Sequence, residues 1–94
     1  MITRIVKMTF SLENVNSFLE TFYASKNKIR TFEGCQGLEL LQDIDNDHVF
    51  FTYSYWKSQE DLNNYRKSEL FNTVWSKTKI LFSEKPEAWS CVKK

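Results

Sequence analysis

Ninety-four residues amount to one domain, and a chain this short buries only about 60–70% of its unfolded surface, so its core is modest. The formal net charge is +1, from 13 basic and 12 acidic residues scattered along the chain, which argues against a nucleic-acid partner because phosphate binding needs a clustered basic face. No apolar run approaches the roughly 20 residues that cross a bilayer, and the chain opens on strand-like residues instead of a signal segment, so the cytoplasm is the expected location.

Ile2 to Phe10 (ITRIVKMTF) is rich in apolar and β-branched types and reads as a strand, with Ile2, Arg4, Val6, Met8 and Phe10 on one parity. From Asn14, Val15, Phe18, Leu19, Phe22 and Ile29 recur at helical spacing, and Gly34 is expected to stop that helix. Gln36 to Gln42 form a second strand. Asp43 to His48 is a turn by composition, leading into Val49 to Trp56 (VFFTYSYW), the clearest strand in the chain. Ser58 with Asp61 resembles a capping box opening a short helix through Leu62 and Tyr65. Ser68 and Glu69 open another, on which Leu70, Phe71, Val74, Trp75 and Thr78 share a face. Pro86 is expected to end the helical stretch, and Ala88 to Val92 to close the chain as a strand. The order β-α-β-β-α-α-β is close to the ferredoxin-like plan, an antiparallel four-stranded sheet with its helices on one face.

Eight Phe, four Tyr and three Trp are more aromatic groups than a small core needs. Along Val49 to Trp56 they emerge on both faces: Phe50, Thr52, Ser54 and Trp56 on one, Phe51, Tyr53 and Tyr55 on the other. Helices on one side of the sheet leave the second face bare, and an exposed patch of this kind marks an interface. A homodimer through the face bearing Phe51, Tyr53 and Tyr55 is therefore expected, sheet packed on sheet about a two-fold axis.

Three stretches carry a family resemblance: the N-terminal strand entering an amphipathic helix, the Glu33-Gly34-Cys35 junction, and Tyr55-Trp56-Lys57-Ser58 followed by Leu62. Lys67 to Phe71 (KSELF) extends it. In these the chain resembles the antibiotic biosynthesis monooxygenase family, over essentially its whole length. The resemblance implies a dimeric α+β barrel, each subunit holding a pocket between sheet and helices. It also implies cofactor-free oxidation of quinol or phenolic compounds, although activities in the family are diverse. Trp56 matches the strand-end Trp that lines the pocket of oxygenase members. Thr52 stands where they use Asn, and Leu62 where they can place Tyr. For haem-degrading relatives, Val6 stands at a pocket Asn, Trp75 at the iron-ligating His and Tyr65 at a Trp, so no haem ligand remains and no cofactor is expected. Where many members carry a His near the second helix, this chain has Asn64.

The substrate-binding candidates are thus Trp56, Thr52, Tyr65, Trp75, Val6 and Arg4, with no catalytic residue or metal ligand assigned. Trp56 and Trp75 suit either core or pocket lining. Tyr65 is the first choice for a substrate oxygen, having a hydroxyl on an aromatic body. Arg4, if partly buried, needs a carboxylate partner or an anionic ligand. His48 reads as a surface residue in a polar turn, Glu20, Glu60 and Asp61 as solvated helix positions, and Cys35 and Cys91 as unpaired structural thiols. The expected function is a cofactor-independent monooxygenase acting on a small aromatic compound; the alternative is a non-catalytic dimeric module that binds one.

Overall fold

The computed structural model describes all 94 residues, Met1 to Lys94. Its elements are β1 (Ile2–Thr9), a single 3-10 turn at Leu12–Asn14, α1 (Val15–Arg30), β2 (Cys35–Gln42), β3 (Val49–Trp56), α2 (Gln59–Arg66), α3 (Glu69–Lys79) and β4 (Glu87–Cys91). The strands form one antiparallel sheet in the order β2-β3-β1-β4. The ferredoxin-like α+β plan expected from the residue pattern is the plan observed.

The alternation in β1 and β3 decides which face meets the helices. Met8 and Phe50 face each other across the sheet and are buried with Phe10, Phe18 and Phe22 in one apolar cluster. Phe18 and Phe22 sit one helical turn apart on α1, so their rings lie over the same strands. Phe10 stacks on Phe18 with ring centroids 4.3 Å apart. Each such ring contributes on the order of 1.5–3 kcal/mol by leaving water.

The other face is open. Across it run the register-matched rows Glu39-Tyr53-Ile5-Trp89 and Leu41-Phe51-Lys7-Glu87. Leu41 is 46% exposed and Trp89 44%, while Ile5, Phe51, Tyr53 and Tyr55 are half-buried. The Tyr55 hydroxyl donates to Glu39 Oε2 at 2.8 Å.

Two punctuation signals act elsewhere than expected. Helix α1 ends at Arg30, four residues before Gly34. Thr31 closes it: its backbone N–H and its Oγ1 both donate to the Asn27 carbonyl, at 3.1 and 2.8 Å. Phe32 then leaves the helix to pack edge-on against Trp56 and Tyr65. Gly34 serves the next turn, with φ of 86°, and there a Cβ would run into the Asp61 side chain. Likewise, α3 ends at Lys79, well before Pro86. Phe82 folds back to bridge Phe10, and Ser83 N–H donates to the Thr9 carbonyl at 3.0 Å. Pro86 instead precedes β4, where a missing N–H costs no ladder bond.

Both serine caps form as expected: Ser58 Oγ accepts from Asp61 N–H and Ser68 Oγ from Phe71 N–H, each at 3.1 Å. Asp61 is half-buried, less solvated than expected, because its side chain lies against Gly34; its carboxylate also accepts the Ser58 hydroxyl at 3.1 Å. Glu20 and Glu60 are exposed. His48 lies in its turn with Nδ1 3.8 Å from Asp47, and both cysteines are free.

Candidate functional site

Between the helix-facing side of the sheet and the helices lies a cavity of about 340 Å³, within the range that binds small organic molecules. The sheet supplies its floor. In register, Thr52 lies opposite Val6 and Val6 opposite Ala88; one step along, Leu38, Ser54 and Arg4 follow one another across the strands, and all six line the cavity. Period-two alternation puts them on one face.

The helices supply the walls. Phe18, Phe22 and Ile29 come from α1, Leu62, Tyr65 and Arg66 from α2, and Phe71, Val74, Trp75 and Thr78 from α3. Spacings of three and four residues put each set on one helical stripe. Phe71 stacks on Trp75 at 5.9 Å, and Trp75 meets Phe82 edge-on at 5.6 Å. The α3 face anticipated from the sequence is the face that lines the cavity, apart from Leu70.

Of the candidate residues, Arg4, Val6, Thr52, Tyr65 and Trp75 are brought together on the cavity wall. Trp56 is not. It is 0% exposed, sits behind the wall, stacks on the Tyr65 ring at 4.8 Å and donates from Nε1 to Ser54 Oγ at 2.9 Å. Its place is to hold two residues that do face the cavity. Ser54 and Arg66 were not singled out from the sequence. Ser54 shares the parity of Thr52, and Arg66 completes the stripe Leu62-Tyr65-Arg66, so both signals were present.

Twelve of the 18 lining residues are hydrophobic, which makes the few polar groups decisive. The Tyr65 and Thr52 hydroxyls have no partner within the chain, and no polar side-chain atom sealed from solvent lacks one, so both are open to a ligand. Burial, and secondarily the neighbouring Cys35, hold the Tyr65 phenol far above its ordinary value. It is a hydrogen-bond donor here, not a base. Burial also pushes the Cys35 thiol up, which keeps it protonated and a poor nucleophile.

Arg4 is half-buried. The carboxylate partner that a plain ion pair would supply is missing: no carboxylate lies within 4.0 Å, and its one side-chain partner is Ser90 Oγ at 2.9 Å. Burial and then the charge of Arg66 lower its pKa. No Asp, Glu or His lines the cavity, and no group of His, Cys, Asp and Glu is placed to hold a metal ion. Chemically the site can bind a ring, donate hydrogen bonds to its oxygens and present positive charge. It has no side chain suited to accept a proton.

A family model described as antibiotic biosynthesis monooxygenase matches residues 1–74. Among solved structures, one described as an antibiotic biosynthesis monooxygenase superposes with a TM-score of 0.93 at 15% identity, covering 100% of this chain and 99% of its own. A conserved protein from Methanosarcina mazei Go1 gives 0.93 at 20% identity, covering 100% and 94%. A protein from Mycobacterium tuberculosis gives 0.91 at 13%, covering 99% and 94%. Identities this low speak for the fold alone. No curated protein matches the sequence.

Proposed function

The chain belongs to the antibiotic biosynthesis monooxygenase family, and from that premise we propose that it is a cofactor-independent monooxygenase acting on a small quinol or phenolic compound. The observation that carries this reading is the cavity: an apolar chamber of about 340 Å³ whose polar groups are hydroxyls and arginines. Without a cofactor, the substrate itself supplies the electrons that reduce oxygen. Its ring hydroxyl loses a proton, the electron-rich ring carbon bonds to one atom of O₂, and the second oxygen leaves as water as the ring becomes a quinone. The protein's part is to hold the ring, to stabilise its ionised oxygen and to keep bulk water away. Val6, Phe71 and Trp75 suit the first task, Thr52 and Tyr65 as donors the second.

Oxygen uptake on a panel of anthrone-like and naphthalenediol substrates, with no metal or flavin added, tests the reading. Saturable uptake of one O₂ per quinone formed is expected, falling roughly tenfold or more in Tyr65→Phe, which removes a donor to the ionised ring oxygen. Uptake no faster than in buffer contradicts it.

One observation favours a second reading, a non-catalytic module that binds an aromatic molecule: nothing on the cavity wall can take a proton. Saturable binding of the same compounds with no uptake would select it.

In either case the protein works as a homodimer joined through the open sheet face bearing Phe51, Tyr53 and Tyr55. The half-buried aromatic rows on that face and the exposed Trp89 support this, because no element of the chain covers them. The two free cysteines suit the reducing cytoplasm, and no helix is long and apolar enough to cross a membrane.

A further inference from the structure

We propose that the ligand of this cavity is an aromatic anion, its charged oxygen held between Arg4 and Arg66. The inference rests on reading the cavity as a ring-binding site and adds the chemistry of what enters. Arg4 rises from the floor, on the same parity as Val6; Arg66 is exposed, at the end of α2, and borders the same space. Two guanidinium groups therefore border one apolar chamber that no carboxylate lines. The chain's one contact within 4.0 Å between a basic side chain and a carboxylate is that of His48 with Asp47, in the β2–β3 turn, and neither residue lines the cavity. A half-buried cation without a counter-ion is a standing cost to folding, and a second cation beside it adds repulsion. An anion between them removes both costs and gains charge-assisted, two-pronged hydrogen bonds that a planar guanidinium is shaped to give. Ser54, opposite Arg4 in register, and Thr52 add hydroxyls to the same floor.

This placement also answers the missing base. A phenol whose oxyanion lies against two cations loses its proton more readily, so the O–H bond breaks with the proton passing to water at the mouth, and no side chain need receive it. A ring carboxylate would satisfy the same pair. The shared chemistry is an anionic oxygen on an aromatic frame.

Calorimetric titration separates the possibilities. 2-Naphthoate carries the charge as a carboxylate, 2-hydroxy-1,4-naphthoquinone as an ionised ring oxygen, and 2-naphthamide has the shape of the first without charge. One or both anions are expected to bind at least about tenfold more tightly than the amide, from charge-assisted hydrogen bonding, and whichever is preferred identifies the source of the charge. Arg4→Met and Arg66→Met should each remove most of that preference. Arg4→Met should do so without lowering the melting temperature, a result that a purely structural arginine would not give. Equal affinities for amide and anions, or a preference surviving both substitutions, would overturn the inference and leave the cavity reading intact. If none of the three compounds binds, the cavity reading fails and the inference with it.

Discussion

At Tyr65, burial raises the phenol's pKa above the ordinary value of 10.0, so the folded chain keeps a proton that the unfolded chain gives up. The stability this contributes is complete below about pH 10 and is lost as pH climbs beyond it. Tyr65→Phe removes that titration and no intramolecular hydrogen bond. Urea unfolding between pH 9 and pH 11 should therefore show a shallower loss of stability in the variant than in the parent. Identical pH slopes would contradict the assignment. Residue by residue, parity was a good guide to which side chains meet the cavity: Arg4, Val6 and Thr52 follow from alternation, and Trp75 from helical spacing. Parity gives a face, however, and not a depth. Trp56 shares the face of Thr52, but it lies beneath Phe32 and Tyr65 at the end of β3, and nothing local in the sequence says so. Arg4's lack of a carboxylate was equally hidden, because it depends on which side chains three other elements bring near.

The elements formed where hydrophobic period and capping residues placed them. β3 agrees end to end, and the Ser58 and Ser68 caps are both made. The misplaced boundaries share a cause. Gly34 and Pro86 are strong local signals, yet α1 and α3 each stop earlier because an aromatic residue beyond the helix, Phe32 or Phe82, gains more by burial than by continuing the turn. Tertiary packing outweighed local propensity. Gly34 keeps a separate necessity, as its φ of 86° and its approach to Asp61 leave no room for a side chain. Gly34→Ala should cost at least about 1–2 kcal/mol from backbone strain alone, plus part of the roughly 1 kcal/mol Ser58 cap if Asp61 is displaced. Thermal unfolding measures it. A melting temperature equal to the parent's would mean that the junction before β2 does not have this shape.

For the whole molecule, the open face of the sheet is where the proposed homodimer would join. Phe51, Tyr53 and Tyr55 were legible as a second aromatic face from the sequence of β3 alone; Trp89, completing the row through Ile5, required the β1–β4 register. A carboxylate at the middle of that row would be buried against a partner without compensation. Tyr53→Asp is accordingly expected to sediment as the 11.3 kDa chain while the parent sediments at twice that mass, and a monomeric parent at micromolar concentration would refute the homodimer.

A crystal structure with 2-naphthoate at saturating concentration tests the ligand-binding role of the cavity most directly. The ring should lie between Val6 and Thr52 on the sheet and Trp75 on α3, with its carboxylate in hydrogen-bond reach of Arg4. Ligand density only on the outer face of the sheet, beside an empty chamber, would contradict it.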